Sequence, residues 1–169
     1  MSKAFTKESE EGPFDEVVPE PKEVLPPGIK NYVTPGGAQA LRAELARLEQ
    51  EVRPRLASGK DAAKRKRLEA LDRRIVFLKD RVAGMVIVDP RTQEQDSVRF
   101  GATVTVSDAE GNEKSYQLVG VDESEPAKGK ISWISPIAKA LISAKVGDVV
   151  TLELPAGNVE LEILQIEYR

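Results

Sequence analysis

The sequence predicts an α+β protein: an N-terminal antiparallel α-helical coiled-coil hairpin, followed by a small antiparallel β-sheet unit with one short helix. Three observations predict it. Leu41, Leu45, Leu48 and Val52 recur at spacings of four, three and four, and Leu68, Leu71, Ile75, Leu78 and Val82 resume that alternation, so two helices each carry a narrow apolar seam. Between the seams, Leu56-Ala57-Ser58-Gly59-Lys60-Asp61-Ala62 is too short for anything but a reversal. From Val86 onward the apolar period changes from helical to two.

The elements follow in order. Residues 1–30 hold Pro13, Pro19, Pro21, Pro26 and Pro27 among many acids, which reads as a disordered or extended tail. It is either a solubilising leader or a docking peptide for another protein, with Phe5, Phe14, Val17 and Val18 as candidate anchors. The hairpin occupies residues 31–85. Thr34 followed by Pro35 is an N-cap followed by a residue whose missing donor costs nothing there. Pro54 must kink or end the first helix, since an interior proline removes a backbone bond and clashes with the preceding turn. Gly59 marks the reversal, Ser58 or Asp61 caps the second helix, and the helical pattern fades near Gly84.

Residues 86–169 form the sheet unit. Residues 85–89 make a short exit strand or linker. Strands are expected at 98–106, 114–121 and 130–134, with turn chemistry at 108–112. A short helix follows at 136–143, then a last hairpin of 149–154 and 159–168. In its final strand Val159, Leu161, Ile163 and Gln165 are expected on the buried face, opposite Glu160, Glu162 and Leu164. Trp133 is expected in the core of the sheet, with a protein-interface anchor as its other reading.

Composition excludes several kinds of chemistry. With no cysteine there is no disulfide, thiolate metal site or Cys nucleophile, and with no histidine the usual general base and commonest transition-metal ligand are missing. Ser135 therefore reads as a helix start and not as a nucleophile. The N-terminus lacks an apolar leader core and no window is long and apolar enough to span a bilayer, so a soluble, cytoplasmic, monomeric protein is the expectation. Net charge is only −3, yet Arg53, Arg55, Lys60, Lys64, Arg65, Lys66, Arg67, Arg73, Arg74, Lys79 and Arg81 crowd the distal hairpin against Asp61, Glu69, Asp72 and Asp80. A partner with an acidic or phosphate-lined surface would be steered to this end.

The run from Ser135-Pro136-Ile137-Ala138 through Val146-Gly147-Asp148, then Pro155-Ala156-Gly157 and Ile166-Glu167-Tyr168, resembles the C-terminal domain of the bacterial GreA/GreB transcript cleavage factors. Phe100-Gly101-Ala102-Thr103-Val104, Val119-Gly120-Val121-Asp122-Glu123 and Arg67-Leu68-Glu69-Ala70-Leu71 add to the match, which covers about residues 32–168. The resemblance implies an FKBP-like C-terminal domain that docks at the rim of the secondary channel of RNA polymerase, and a coiled coil that enters the channel. Arg55, Lys60, Lys64, Arg65, Arg67, Arg74, Ser135, Pro136 and Ile137 are then the candidate partner-binding residues. Within the elongation complex, nucleic-acid phosphate is a second candidate partner for the basic run, which is otherwise a solvated helix face and has no interleaved aromatics for bases to stack on.

The departure from the family is as informative. Cleavage-competent members carry a tip signature of the form Gly-Asp-x-x-Glu-Asn, whose carboxylates help hold a second Mg²⁺, about 4 Å from the first, in the polymerase active site. Here the tip reads Ala57-Ser58-Gly59-Lys60-Asp61-Ala62-Ala63, with Asp61 the sole acid. Against the flanking motifs the hairpin is shorter by about seven residues per arm, or about 10 Å. Asp61 is the one candidate catalytic or metal-ligating residue, and helix capping is its simpler role. No cofactor of the chain's own is expected, and Mg²⁺ enters only through polymerase. The favoured function is an elongation regulator that occupies the channel without stimulating cleavage; it is not an enzyme, and at most an accessory to polymerase's own RNA cleavage. Cleavage stimulation through Asp61, and an FKBP-like interaction module unrelated to polymerase, are the alternatives; fold analogy alone is weak ground for the last.

Overall fold

The structure, a computed structural model, describes residues 25–169. The expected anchors Phe5, Phe14, Val17 and Val18 lie outside the described residues. The chain begins with a short strand β1 (Asn31–Val33), then α1 (Pro35–Arg47), which passes through a π-helical turn (Leu48–Val52) into α2 (Arg53–Ala57). After the reversal α3 (Ala62–Gly84) returns alongside and runs directly into β2 (Met85–Ile87). Thr34 caps α1, its hydroxyl accepting from the Gly37 amide at 3.0 Å, and Asp61 caps α3, its carboxylate accepting from the Ala63 amide at 3.2 Å. The expected capping choices therefore hold at both starts.

Pro54 neither ends nor breaks the first arm. Proline cannot donate to the carbonyl four residues back and its ring crowds that turn. The helix widens just before it, and the Arg53 amide reaches back five residues to the Leu48 carbonyl. One wide turn absorbs the proline and keeps Leu48, Val52 and Leu56 on the inner face, where they join a core of Val33, Ala38, Leu41, Leu71, Ile75 and Leu78. Every expected seam residue lies in this cluster or packs against it. Glu44–Arg74, Glu49–Lys79 and Arg53–Asp72 ion pairs cross the seam at 2.7–2.9 Å.

The base of the hairpin is closed by a feature absent from the sequence reading: β1 pairs in parallel with β2, Asn31 opposite Met85 and Val33 opposite Ile87. β2 thus straddles the expected division at 85/86.

The second unit is a five-stranded sheet in the order β5-β4-β3-β7-β6, built from β3 (Thr103–Ser107), β4 (Glu113–Val119), β5 (Lys130–Ser132), β6 (Val149–Leu154) and β7 (Gly157–Glu167). The short helix α4 (Pro136–Leu141) lies over one face, and Val98, Val104, Val106, Leu118, Ile131, Ala138, Leu141, Leu161 and Ile163 fill the space between.

Four expectations are corrected. The strand expected over 98–106 is confined to Thr103–Ser107: Gly101 takes φ +82°, which breaks the extended run, and a Cβ there would lie 2.4 Å from the Pro90 ring. Val98 is nonetheless buried, its amide bonded to the Ala144 carbonyl at 2.8 Å. The sheet is not wholly antiparallel, because β5 runs parallel to β4 after the Val121–Glu123 and Pro126–Lys128 turns carry the chain back. In β7 the register shifts opposite Thr105 and Val106, so Leu164 is an extra residue in the ladder. Gln165 is exposed as a result, and Ile166 and Tyr168 return to the core face in its place. Trp133 sits beyond the end of β5, half-buried against Tyr32 and Phe100, and is not part of the sheet core.

If the seam holds the hairpin together, Leu71→Ala should cost about 2–4 kcal/mol in guanidinium unfolding, because it empties a fully buried site. Val76→Ala on the outer face, 58% exposed, should stay within about 0.5 kcal/mol. Equal losses at the two sites would contradict the packing described.

Candidate partner-binding hairpin and its anchorage

The hairpin has a root, a middle crossed by ion pairs and an exposed basic end. At the root, the Glu123 carboxylate, on the turn after β4, accepts the Thr34 amide at 3.0 Å, the Thr34 hydroxyl, and the Gly120 amide at 2.9 Å. Thr34 is thus both the cap of α1 and the group that ties α1 to the sheet unit. Space at Gly37 is tight: a Cβ there would lie 2.1 Å from the Glu123 carboxyl carbon, so a side chain would push that carboxylate out of place. A Cβ on Gly120 would lie 2.4 Å from the Tyr32 carbonyl oxygen.

A second tie lies beside the first. The Arg81 guanidinium, on α3, is 3.6 Å from the Asp122 carboxylate, with both side chains more than nine-tenths buried. Asn31 donates weakly, at 3.5 Å, to Asp122 and to the Arg81 carbonyl. Phe77 underlies Arg81 at 4.8 Å and Arg74 at 5.4 Å, so the ring face helps accommodate two buried cations. On another side of the joint Tyr32 packs on Trp133 and Phe100, with ring centroids at 5.1 and 5.9 Å.

Toward the tip Arg55, Lys60, Lys64, Arg65 and Arg67 are all exposed. Arg74 is not. It is 8% exposed and its guanidinium is bonded to Glu44 at 2.9 Å, which removes it from the candidate contact surface and makes it part of the hairpin's own packing. Leu71, Arg74, Leu78 and Arg81 are spaced three, four and three, so the periodicity that found the leucines also places both arginines on the inner face.

At the tip itself Asp61 is exposed and engaged as the cap of α3, with Lys60 beside it. Among the described residues no three acids are grouped so as to hold a metal ion. In the sheet unit Ser135 caps α4, accepting from the Ala138 amide at 3.3 Å. Pro136 is exposed, and Ile137 packs part of its side chain against the sheet core. Sequence reasoning missed Glu123 and Gly37. The signal was present in Gly36-Gly37 within the first turn of a helix, an arrangement that costs stability unless something approaches closely.

Comparison with known proteins bears on this arrangement. The family model described as "Transcription elongation factor, GreA/GreB, C-term" matches residues 93–168. Transcription elongation factor GreB of Neisseria meningitidis serogroup A is 43% identical over 82% of this chain and 94% of its own length. The chain belongs to the GreA/GreB family. Transcription elongation factor GreA of Francisella philomiragia is 37% identical over 81% of this chain and 96% of its own. Among solved structures, GreA factor homolog 1 (Gfh1) of Thermus thermophilus aligns at 25% identity over 82% of this chain and 99% of its own, with a TM-score of 0.39. Among the described residues no helix is long and apolar enough to cross a membrane.

The anchorage can be tested directly, because the chain has no cysteine and accepts a pair of spin labels cleanly. With labels at Gln50 and Thr151, both exposed, Gly37→Ala should broaden the interlabel distance distribution by displacing Glu123. Gly84→Ala at the exposed end of α3 should leave it unchanged, since nothing lies within 4 Å of that position and its backbone is not left-handed. A distribution that stays narrow in the Gly37 variant would show that Glu123 does not set the joint.

Proposed function

We propose that this member of the GreA/GreB family binds bacterial RNA polymerase at its secondary channel through the sheet unit, inserts the short basic hairpin, and regulates elongation without stimulating RNA cleavage. Family membership supports the elongation role. The finer reading is carried by one observation: the tip presents a single carboxylate, already engaged as a helix cap, in a basic surround.

Under this reading Arg55, Lys60, Lys64, Arg65 and Arg67 face acidic or phosphate-lined surfaces of the channel, and Ser135, Pro136 and Ile137 belong to the docking surface. The protein performs no reaction of its own. The family resemblance implies a role for the tip in holding Mg²⁺. Hard cations take six or more oxygen ligands, and Asp61 offers one carboxylate beside a lysine, so the tip does not fit a metal-holding role. Binding would act by occupying the pore, which alters substrate entry or excludes other factors. The competing reading, cleavage stimulation through Asp61, draws on that side chain's exposure and requires the partner to supply every other ligand.

A backtracked polymerase complex separates the two. Added protein should leave the yield of short 3′ RNA fragments at the level of polymerase alone while slowing nucleotide addition. Fragments that rise with the protein and vanish with Asp61→Ala would overturn the proposal.

A further inference from the structure

The distal hairpin carries a dense excess of positive charge. Between residues 55 and 67 stand Arg55, Lys60, Lys64, Arg65, Lys66 and Arg67 against Asp61 alone. Nearer the root Arg53, Arg74 and Lys79 each meet a carboxylate across the seam. By contrast Arg55, Lys60, Lys64, Arg65 and Lys66 are exposed and pair with no acid among the described residues. Like charges gathered around one end of the hairpin repel, and a counter-charge that arrives costs little desolvation at so open a surface.

The same chain carries that counter-charge. Segment 8–23 contains Glu8, Glu10, Glu11, Asp15, Glu16, Glu20 and Glu23, against the single Lys22. It also leaves the body in the right place. Leu25, Ile29 and Lys30 line a hollow shared with Phe77, Asp80, Arg81 and Gly84 of α3, so the chain enters the described structure alongside that helix. From Phe77 to Lys64 is roughly 20 Å along a helix. Glu16 and Glu8, nine and seventeen residues before Leu25, can reach up to about 30 and 60 Å, so the acids of 8–16 cover the distance while Glu20 and Glu23 stay nearer the root.

We propose that the acidic segment 8–23 docks on this chain's own hairpin at Lys60, Lys64, Arg65 and Lys66, as a tethered counter-charge that an acidic or polyanionic partner must displace. Each exposed pair is weak, but the tether holds the acids at an effective concentration of about the millimolar range, and several pairs act together. The contact makes the basic end discriminating. A partner with scattered negative charge is outcompeted by the tail, and one with a dense array is not. The inference stands apart from the polymerase reading, since it concerns only the two ends of this chain.

The test uses the full chain. Carbodiimide cross-linking at about 20 mM salt, where screening is weak, should join carboxylates of 8–23 to Lys60, Lys64 or Lys66 at about five times the yield at Lys79 or Lys114. Lys79 controls for proximity, being closer to Leu25 along α3, and Lys114 for random encounter. The preference should vanish at 0.5 M salt, and mixed labelled and unlabelled chains should show the links to be within one molecule. As a second arm, Glu8, Glu10, Glu11 and Glu16 changed to Gln with Asp15→Asn should tighten binding of a 12-nucleotide oligouridylate about three- to tenfold at 50 mM salt. Cross-links centred on Lys79, spread evenly, or formed between chains would overturn the proposal, as would unchanged oligouridylate affinity.

Discussion

The Glu123 carboxylate is the point on which the geometry of this molecule turns. It gathers the Thr34 amide, the Thr34 hydroxyl and the Gly120 amide, and so binds the first turn of α1 to the turn after β4. A carboxylate accepting several donors in a part-buried setting is a strong, directional tie, and it leaves no room for a side chain at Gly37. Arg81 and Asp122 add a buried pair whose loss on one side would strand the other charge. The Tyr32, Phe100 and Trp133 rings fill another side of the joint. α3 is about 35 Å long at 1.5 Å per residue. A tilt of about 5° at its root would therefore carry the tip about 3 Å, so residues far from the tip decide where the tip goes.

Stiffness along the arms matters for the same reason. Pro54 would ordinarily produce a kink, which in a thin two-helix arm would separate the seams. The π-helical turn over Leu48–Val52 takes up the misfit in one place, and Leu56 still packs inward beyond it. The arm then has continuous apolar contact from Val33 at its base to Leu56 near its end. Ion pairs such as Arg53–Asp72 lie at the rim of that seam, where solvent screens them, and set register more than stability.

Much of this was legible from residue spacing. Leu41, Leu48, Leu71, Ile75 and Leu78 declare themselves because one helical period runs uninterrupted through them, and Thr34, Asp61 and Ser135 because capping is a local matter of residue type and position. What escaped depends on partners distant in sequence. β1 has three residues and acquires its identity from β2, more than fifty positions away. The parallel placement of β5 depends on the turns before it, and the exposure of Gln165 on one extra residue in β7. Arg74 is a different kind of miss: its charge argued for the surface while its spacing argued for the seam. The structure follows the spacing, with Glu44 and the Phe77 ring making the burial tolerable.

The proposed reading of the tip, charge and not coordination, has a local physical basis. An N-cap carboxylate sits at the positive end of the helix dipole and is held by an amide of the first turn, here Ala63. Both interactions orient it toward its own backbone, away from a metal that would need its lone pairs. Turning Asp61 outward to meet a cation would uncap α3 in the least packed part of the hairpin, where exposed residues surround it. Lys60, Lys64, Arg65 and Lys66 would then oppose the approach of that cation. The residues that shape the end of the arm are therefore consistent with one another: they start a helix and project positive charge.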